Sequence, residues 1–324
     1  MVVHSTATGP SRAQAPEAAG HAPAVSVVVP CYNGGRFLDA LMRSLAHQTF
    51  RDFEIVLVDD GSDDPETLRI VADLRDGARL LRQNNGGPSA ARNAGIRAAR
   101  ADILFMLDCD DTIEPDYLAT TVPLLQASPR DVGMVFSDVR LSGAESGIST
   151  RYFNRFDLLF TNTLSSGLVM RRDAWRAAGG YDEAMREGYE DWDFSLRLVR
   201  AGYRGVRVAK PLYVYQIASA AAPSRSTCID SRRLYGKLWR YIREQHPESY
   251  TVPAMLRLWR QTRDGGERVP LWKGLSAYLL ALVLPDTLFS LMIAHLHRGS
   301  RADRPNAASA RSAAAASPDP VPQS

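Results

Sequence analysis

Three acidic clusters carry the residue types and spacing for chemistry. Asp108-Cys109-Asp110-Asp111 directly follows the apolar run Ile103–Leu107. Carboxylates at one strand end repel one another unless a cation is present, and hard oxygen ligands suit Mg²⁺ or Mn²⁺. Mg²⁺ commonly takes one or two carboxylates and completes its shell with water and substrate phosphates. Asp59-Asp60-Gly61-Ser62 follows a second apolar run. An Asp there accepts a hydrogen bond from a base imide or a ribose hydroxyl, or serves turn chemistry with Gly61 at positive φ. Glu190-Asp191-Trp192-Asp193 precedes the amphipathic run Phe194, Leu196, Leu198, Val199. Carboxylates at a helix N-terminus are favoured in the ionised state by the helix dipole, and an ionised carboxylate is what a general base must be. Helix capping accounts for the same residues.

The elements that position these clusters follow from periodicity. Val25–Val29, Phe53–Val58, Arg79–Leu81, Ile103–Leu107 and Val132–Phe136 read as short buried strands. Gly35–His47, Pro65–Arg75, Pro88–Arg100 and Pro115–Gln126 read as helices between them. This alternation predicts an α/β, Rossmann-like, mostly parallel sheet flanked by helices. In such sheets ligands gather at the carboxyl ends of the strands. Pro30-Cys31-Tyr32-Asn33-Gly34-Gly35 ends the first strand, so three strand ends converge with acidic, Gly and Asn residues. None carries a Lys-bearing phosphate loop or a G-x-G-x-x-G turn, which argues against a Walker-type NTPase or a dinucleotide dehydrogenase.

Together, VSVVVPCYNGGRFLDALMRSLAHQTFRDFEIVLVDDGSDD, RQNNGGPSAARNAGIRAARADILFMLDCDD and GYEDWDFSLRLVRAGYRG resemble a family 2 glycosyltransferase of the A-type fold, from Val25 to Tyr215. The resemblance implies a metal-dependent inverting transferase that moves a single sugar from a nucleotide-diphospho-sugar, UDP-linked by expectation, to a hydroxyl of a glycan or lipid-linked acceptor. Carried over residue by residue, it implies that Pro30, Tyr32 and Asn33 line the base. Asp60 meets the pyrimidine with Asp59 beside it, and Asn84, Gly86, Arg92 and Asn93 border base, ribose and phosphate. It makes Asp110 the main ligand of Mg²⁺ or Mn²⁺, with Asp108 at the ribose or a metal-bound water and Asp111 close to the donor sugar. Asp191 is implied as the catalytic base, and Glu190 as an aid to acceptor binding. Ser165–Leu168 and Gly180–Glu183 match acceptor-side segments. Two departures stand out. The His expected after the strand near Val206–Tyr215 is absent, the text there being Tyr215-Gln216-Ile217-Ala218, and no Gln-x-x-Arg-Trp motif of processive synthases occurs. The alternatives are a nucleotidyltransferase acting on sugar phosphates, opposed by the lack of Lys in Cys31–Gly35, and a degenerate, non-catalytic transferase-like scaffold, opposed by Asp110 and Asp191.

The rest of the chain sets context. Its 324 residues are 45% hydrophobic and 23% charged with net charge +3, and Arg is spread along it, which does not describe a disordered protein or a nucleic-acid binder. Cys31, Cys109 and Cys228 are too few and too scattered for a disulfide framework. Cys31 and Cys109 border one pocket if their strands are neighbours. Residues 1–24 and 299–324 read as disordered tails, 25–217 as the catalytic domain and 218–298 as a helical C-terminal extension. With no basic leader followed by an apolar stretch, the expected place is the cytoplasm, at the inner face of the cell membrane where a membrane is engaged. Residues 274–294 are long enough and apolar enough to span a bilayer, but Pro285 and Asp286 interrupt them. A spanning helix, an interfacial hairpin making peripheral membrane contact, and a helix pair packed on the protein are the three readings.

Overall fold

The computed structural model describes residues 22–74, 77–164, 167–217, 231–261 and 269–291. The leader before residue 22, Ser165 and Ser166, Arg225 and Cys228, Arg268, Arg298 and the C-terminal tail lie outside them. The chain begins with β1 (Val25–Cys31), α1 (Gly35–Ala46), β2 (Phe53–Asp59), α2 (Pro65–Asp73), β3 (Arg79–Arg82), α3 (Pro88–Ala98) and β4 (Ile103–Met106). Every residue of β1 through Val29 is buried, because both of its faces are covered. Helix α2 starts where Asp64 accepts a 2.8 Å bond from the Thr67 amide and Pro65 occupies the first turn.

There follow β5 (Thr112–Ile113), α4 (Tyr117–Ala127), β6 (Val132–Gly143), β7 (Gly147–Ser149), β8 (Val169–Arg171), α5 (Arg172–Ala178), α6 (Glu190–Arg200) and β9 (Arg204–Ile217). The sheet runs β3-β2-β1-β4-β8-β6-β9-β5, with β7 on β6. From β3 to β4 it is parallel, as the alternation predicts. Beyond β4 it is mixed: β8 runs antiparallel to both β4 and β6, β9 runs parallel to β6, and β5 antiparallel to β9.

Side chains alternate across the sheet, and each face buries its own cluster. Val27, Val29, Leu57 and Phe105 face α1, α2 and α4 through Leu38, Leu41, Val71 and Leu118. Val28, Val56, Leu104 and Met106 face α3, α5 and α6. Three more helices, α7 (Ser231–Gln245), α8 (Val252–Gln261) and α9 (Leu271–Val283), join this second cluster through Trp239, Ile242, Met255 and Ala281. The 274–294 segment is broken at Pro285, with a new helical run over 286–291, and no described helix is long and apolar enough to cross a membrane. The interrupting Asp286 is turned inward, onto Arg240 of α7 at 2.7 Å.

Helix α3 presses on the sheet through Gly95, where an added Cβ would meet Val28 and lie 3.0 Å from Val58 Cγ2. Alanine favours a helix by about 1 kcal/mol over glycine, but overpacking costs about 1–3 kcal/mol. Both contacts are with sheet side chains locked in the core, so overpacking wins. Gly95→Ala is expected to lower the melting temperature by a few degrees, at about 2–4 °C per kcal/mol, in a thermal melt.

Candidate functional site

The carboxyl ends of β1, β2 and β4 lie side by side, with Val28 paired to Met106 and Cys31 to Asp59. Helix α6 brings its N-terminus to the same place, as its apolar spacing predicts, with Glu190 and Asp191 in the first turn. Arg92 of α3 joins these ends. Its guanidinium donates to Asp108 Oδ1 at 2.6 Å and to Glu190 Oε1 at 2.7 Å, and its side chain is 5% exposed. Burial works against the Arg92 charge, yet Asp108 and Glu190 hold it more firmly protonated than an ordinary arginine. The face of Tyr181 lies 5.5 Å from the guanidinium carbon.

Asp191 is half-buried beside this bridge. Asn162 Nδ2 donates to its Oδ2 at 2.9 Å, and the Trp192 amide donates to its Oδ1 at 2.8 Å. Burial and the neighbouring Glu190 push its carboxyl up to about 6, against the opposing pull of Arg92. The helix enters through an unusual turn: Tyr189, which is not glycine, has φ 61°. Its ring packs edge-on against Trp192 and against Tyr235 of α7.

The β4 end separates into two kinds of carboxylate. Asp111 is 1% exposed and accepts from Tyr213 Oη at 2.6 Å and from the Gln216 amide at 2.8 Å. Burial, then Asp110 and Asp108, raise its carboxyl well above the ordinary range. Asp108 and Asp110 are more open. Among the described residues no three His, Cys, Asp or Glu form a ligand set. The donors at this strand end are therefore two accessible carboxylates in a negative field. That set fits a Mg²⁺- or Mn²⁺-type ion that takes its other oxygens from water and a diphosphate. The Gln216 amide on Asp111 brings the end of β9 to this cluster, so the glutamine stands beside the acids where the resemblance expects a histidine.

The other residues singled out from sequence fall in two places. Asp59 is buried, pairs with Arg82 at 2.9 Å and accepts from the Ser62 amide. Asp60 organises the loop after β3, accepting from Gln83 Nε2 at 2.7 Å and from the amides of Gly86 and Gly87 at 2.8 Å. Asn84 is exposed on that loop and Pro30 and Gly86 are half-buried, while Tyr32 is exposed beside β1. Gly61 takes φ 75°, as its turn requires. Asn33 knits the first two strand ends together, its Oδ1 accepting from the Asp63 and Asp64 amides at 3.0 Å. Asn93 faces other partners: it donates to Tyr181 O and Glu183 Oε1, both at 2.9 Å, and accepts from the Tyr181 amide. It thereby fixes the 180–183 segment ahead of α6. Cys31 and Cys109 are both free thiols that hydrogen-bond each other at Gly34, whose missing Cβ would lie 2.7 Å from Cys109 Sγ.

Three contributors have no sequence signal of their own. Asn162 is one polar residue in an irregular segment. Tyr213 belongs to a strand whose pattern says nothing of Asp111. His246, after α7, places Nε2 2.8 Å from Asp193 Oδ1, and Arg200 Nη1 lies 3.1 Å from its Nδ1. An arginine can only donate, so Nδ1 accepts and the proton sits on Nε2, toward Asp193. Removing Arg92 would leave the buried Glu190 without its partner, facing the partly exposed Asp108. Arg92→Leu is expected to destabilise the fold by about 3–5 kcal/mol in urea unfolding, as loss of one partner of a buried ion pair does.

The comparisons agree with this geometry. The sequence model of glycosyl transferase family 2 matches residues 26–174. The O-antigen biosynthesis protein RfbC of Myxococcus xanthus is 30% identical over 218 residues, 64% of this chain and 17% of that protein. The putative glycosyltransferase EpsH of Bacillus subtilis is 40% identical over 97 residues, 29% of this chain and 28% of that one. Escherichia coli chondroitin synthase is 27% identical over 191 residues, 56% of this chain and 27% of that one. The chain thus spans less than a third of the length of these relatives. Among solved structures, S. aureus TarS 1-349 in complex with UDP-GlcNAc superposes with TM-score 0.58 at 21% identity, covering 79% of this chain and 81% of that one. At that identity the likeness is one of fold, and the fold is the A-type fold of glycosyltransferases. The strand-end acids, the α6 carboxylates and the matched segment agree: residues 26–174 carry the sequence pattern of glycosyl transferase family 2.

Proposed function

We propose that this glycosyltransferase moves one sugar from a nucleotide-diphospho-sugar to a hydroxyl of a glycan or lipid-linked acceptor, with inversion at the anomeric carbon. The observation that carries this reading is Asp191: one carboxylate at a helix N-terminus, oriented from two sides and held near pKa 6. A base of that pKa is ionised at neutral pH and still takes up a proton. In this reading Asp191 removes the acceptor hydroxyl proton as the oxygen attacks, and single-step attack requires no enzyme nucleophile. Arg92 holds Glu190 and Asp108 at fixed positions, so the acceptor and donor sides of the site keep their spacing. Pro30, Tyr32, Asn33, Asp59 and Asp60 border the base, with Asn84, Gly86, Arg92 and Asn93 along the ribose and phosphates. Asp108 and Asp110 would hold Mg²⁺ or Mn²⁺, with Asp111 near the sugar. The ion would supply charge neutralisation for the departing diphosphate. A UDP-linked donor is favoured because the fold neighbour TarS is described in complex with UDP-GlcNAc. Residues 25–217 form the catalytic unit in this reading, with 218–298 as a helical extension and tails at 1–24 and 299–324. A lipid-linked acceptor sits at a membrane, and peripheral contact through 274–294 would bring the site to it at the inner face of the cell membrane.

The experiment is Asp191→Asn. Turnover of a panel of UDP-, GDP- and dTDP-sugars is expected to vanish while donor-induced thermal stabilisation persists. In the parent, kcat/KM is expected to rise with pH through about 6 as Asp191 ionises. Stability has the opposite sign. A carboxyl whose folded pKa lies above its unfolded value favours folding below that value and loses the benefit as pH rises through about 6. Asp191→Asn is therefore expected to melt higher than the parent at pH 7.5, with the gain shrinking as the pH falls toward 4. A variant as active as the parent would remove Asp191 from the mechanism.

A further inference from the structure

The last described helices carry large apolar side chains on their outer face as well as on the face packed against the core. On α9 and the 286–291 turn, Trp272, Leu279, Leu282, Val283, Leu288 and Leu291 are each more than half exposed, Val283 reaching 79%. The face turned to the protein packs Leu275, Tyr278 and Phe289 on the core beside small and polar residues. Gly274 sits against Phe156 and Phe160, where a Cβ would come within 2.9 Å, and Ala281 and Ser290 are buried. Ser290 Oγ accepts from the Gly236 amide at 2.7 Å, and Asp286 pairs with Arg240. The segment thus anchors itself with one set of apolar side chains and still presents a second set of large ones outward. Monomeric soluble proteins rarely display so contiguous an apolar face unless something covers it.

Charge identifies the cover. Residues 231–291 contain ten Lys and Arg against five Asp and Glu, an excess of five in a chain whose net charge is +3. The remainder of the protein is therefore net negative, and the positive charge gathers on the part that bears the apolar face. Lys273 Nζ stands 5.6 Å from the ring centre of the exposed Trp272, and Arg257 and Arg260 are exposed on the adjoining α8. A second copy of the chain would bring two such positive surfaces together. An anionic bilayer surface is attracted to the cations and accepts the apolar side chains below its headgroups. No described helix is long and apolar enough to cross.

We propose that α9 and the 286–291 turn form a monotopic docking face for an anionic membrane, with Leu282, Val283, Leu288 and Leu291 entering the bilayer and Trp272 and Lys273 at headgroup level. This deepens the reading of 274–294 as a membrane-contacting segment and is independent of the donor chemistry. The test is sedimentation of the full chain with vesicles of phosphatidylglycerol and phosphatidylethanolamine, and with vesicles of phosphatidylcholine alone. Binding is expected to the anionic vesicles, weakened in high salt. Lys273→Ala should weaken it about fivefold, as loss of one cation near an anionic surface does. The double variant Leu282→Glu, Val283→Glu should abolish it while leaving the melting temperature and the donor-induced thermal shift unchanged. The donor shift reports the catalytic reading separately, so the two can fail apart. Failure to bind any vesicle, equal binding to phosphatidylcholine, or a dimer in solution that the double variant converts to monomer would overturn the proposal.

Discussion

The site depends on one buried cation. Arg92 lies between a strand-end carboxylate and a helix-end carboxylate, touching both at hydrogen-bond distance. Without it, β4 and α6 would present like charges to each other across a desolvated gap. With it, the two elements close to a fixed separation. Asp191 then keeps its position one residue beyond the bridge, and its raised pKa reflects what the bridge does not neutralise. Arg92 is on α3, whose approach to the sheet is set by Gly95. The geometry of the candidate base is therefore traceable to the absence of one methyl group on a helix behind it.

The parallel half of the fold was legible because its strands are short, wholly buried apolar runs bounded by turn residues. Those runs end in the Asp, Asn and Gly clusters that mark a ligand-binding edge. The mixed half was not. β8 has three residues and β5 two, too few for any period to register. β6 and β9 run far beyond the apolar stretches that announce them, and their exposed ends carry no alternation. The A-type fold was nevertheless reached, since its order of motifs depends on the parallel half.

Within the site, residue type predicted location better than partner. Asp60 and Asn33 stand at the strand ends, as their position after apolar runs predicts, but their hydrogen bonds tie loops to loops. The resemblance points Asn93 toward the nucleotide, and its side chain is engaged by Tyr181 and Glu183. Asp111 shares a motif with Asp110, yet lies beneath it, bound by Tyr213. Adjacent residues at the end of a strand point in different directions, and only the packing of β9 says which of three acids is covered. Asp286 interrupts the apolar stretch, and in the fold it pairs with Arg240 of α7.

The aromatic contact between Tyr189 and Tyr235 bears on modularity. Trp192, Tyr235, Trp239 and Phe289 stack in sequence, so one continuous column of rings runs from the helix bearing Asp191 to the last described turn. A chain cut after β9 would leave Trp192 facing water and Tyr189 without the ring that braces its left-handed backbone. The C-terminal helices are not an appendage that recombination could exchange freely. Any fusion, truncation or swap of this region has to carry a matching aromatic surface, or the first turn of α6 loses its support.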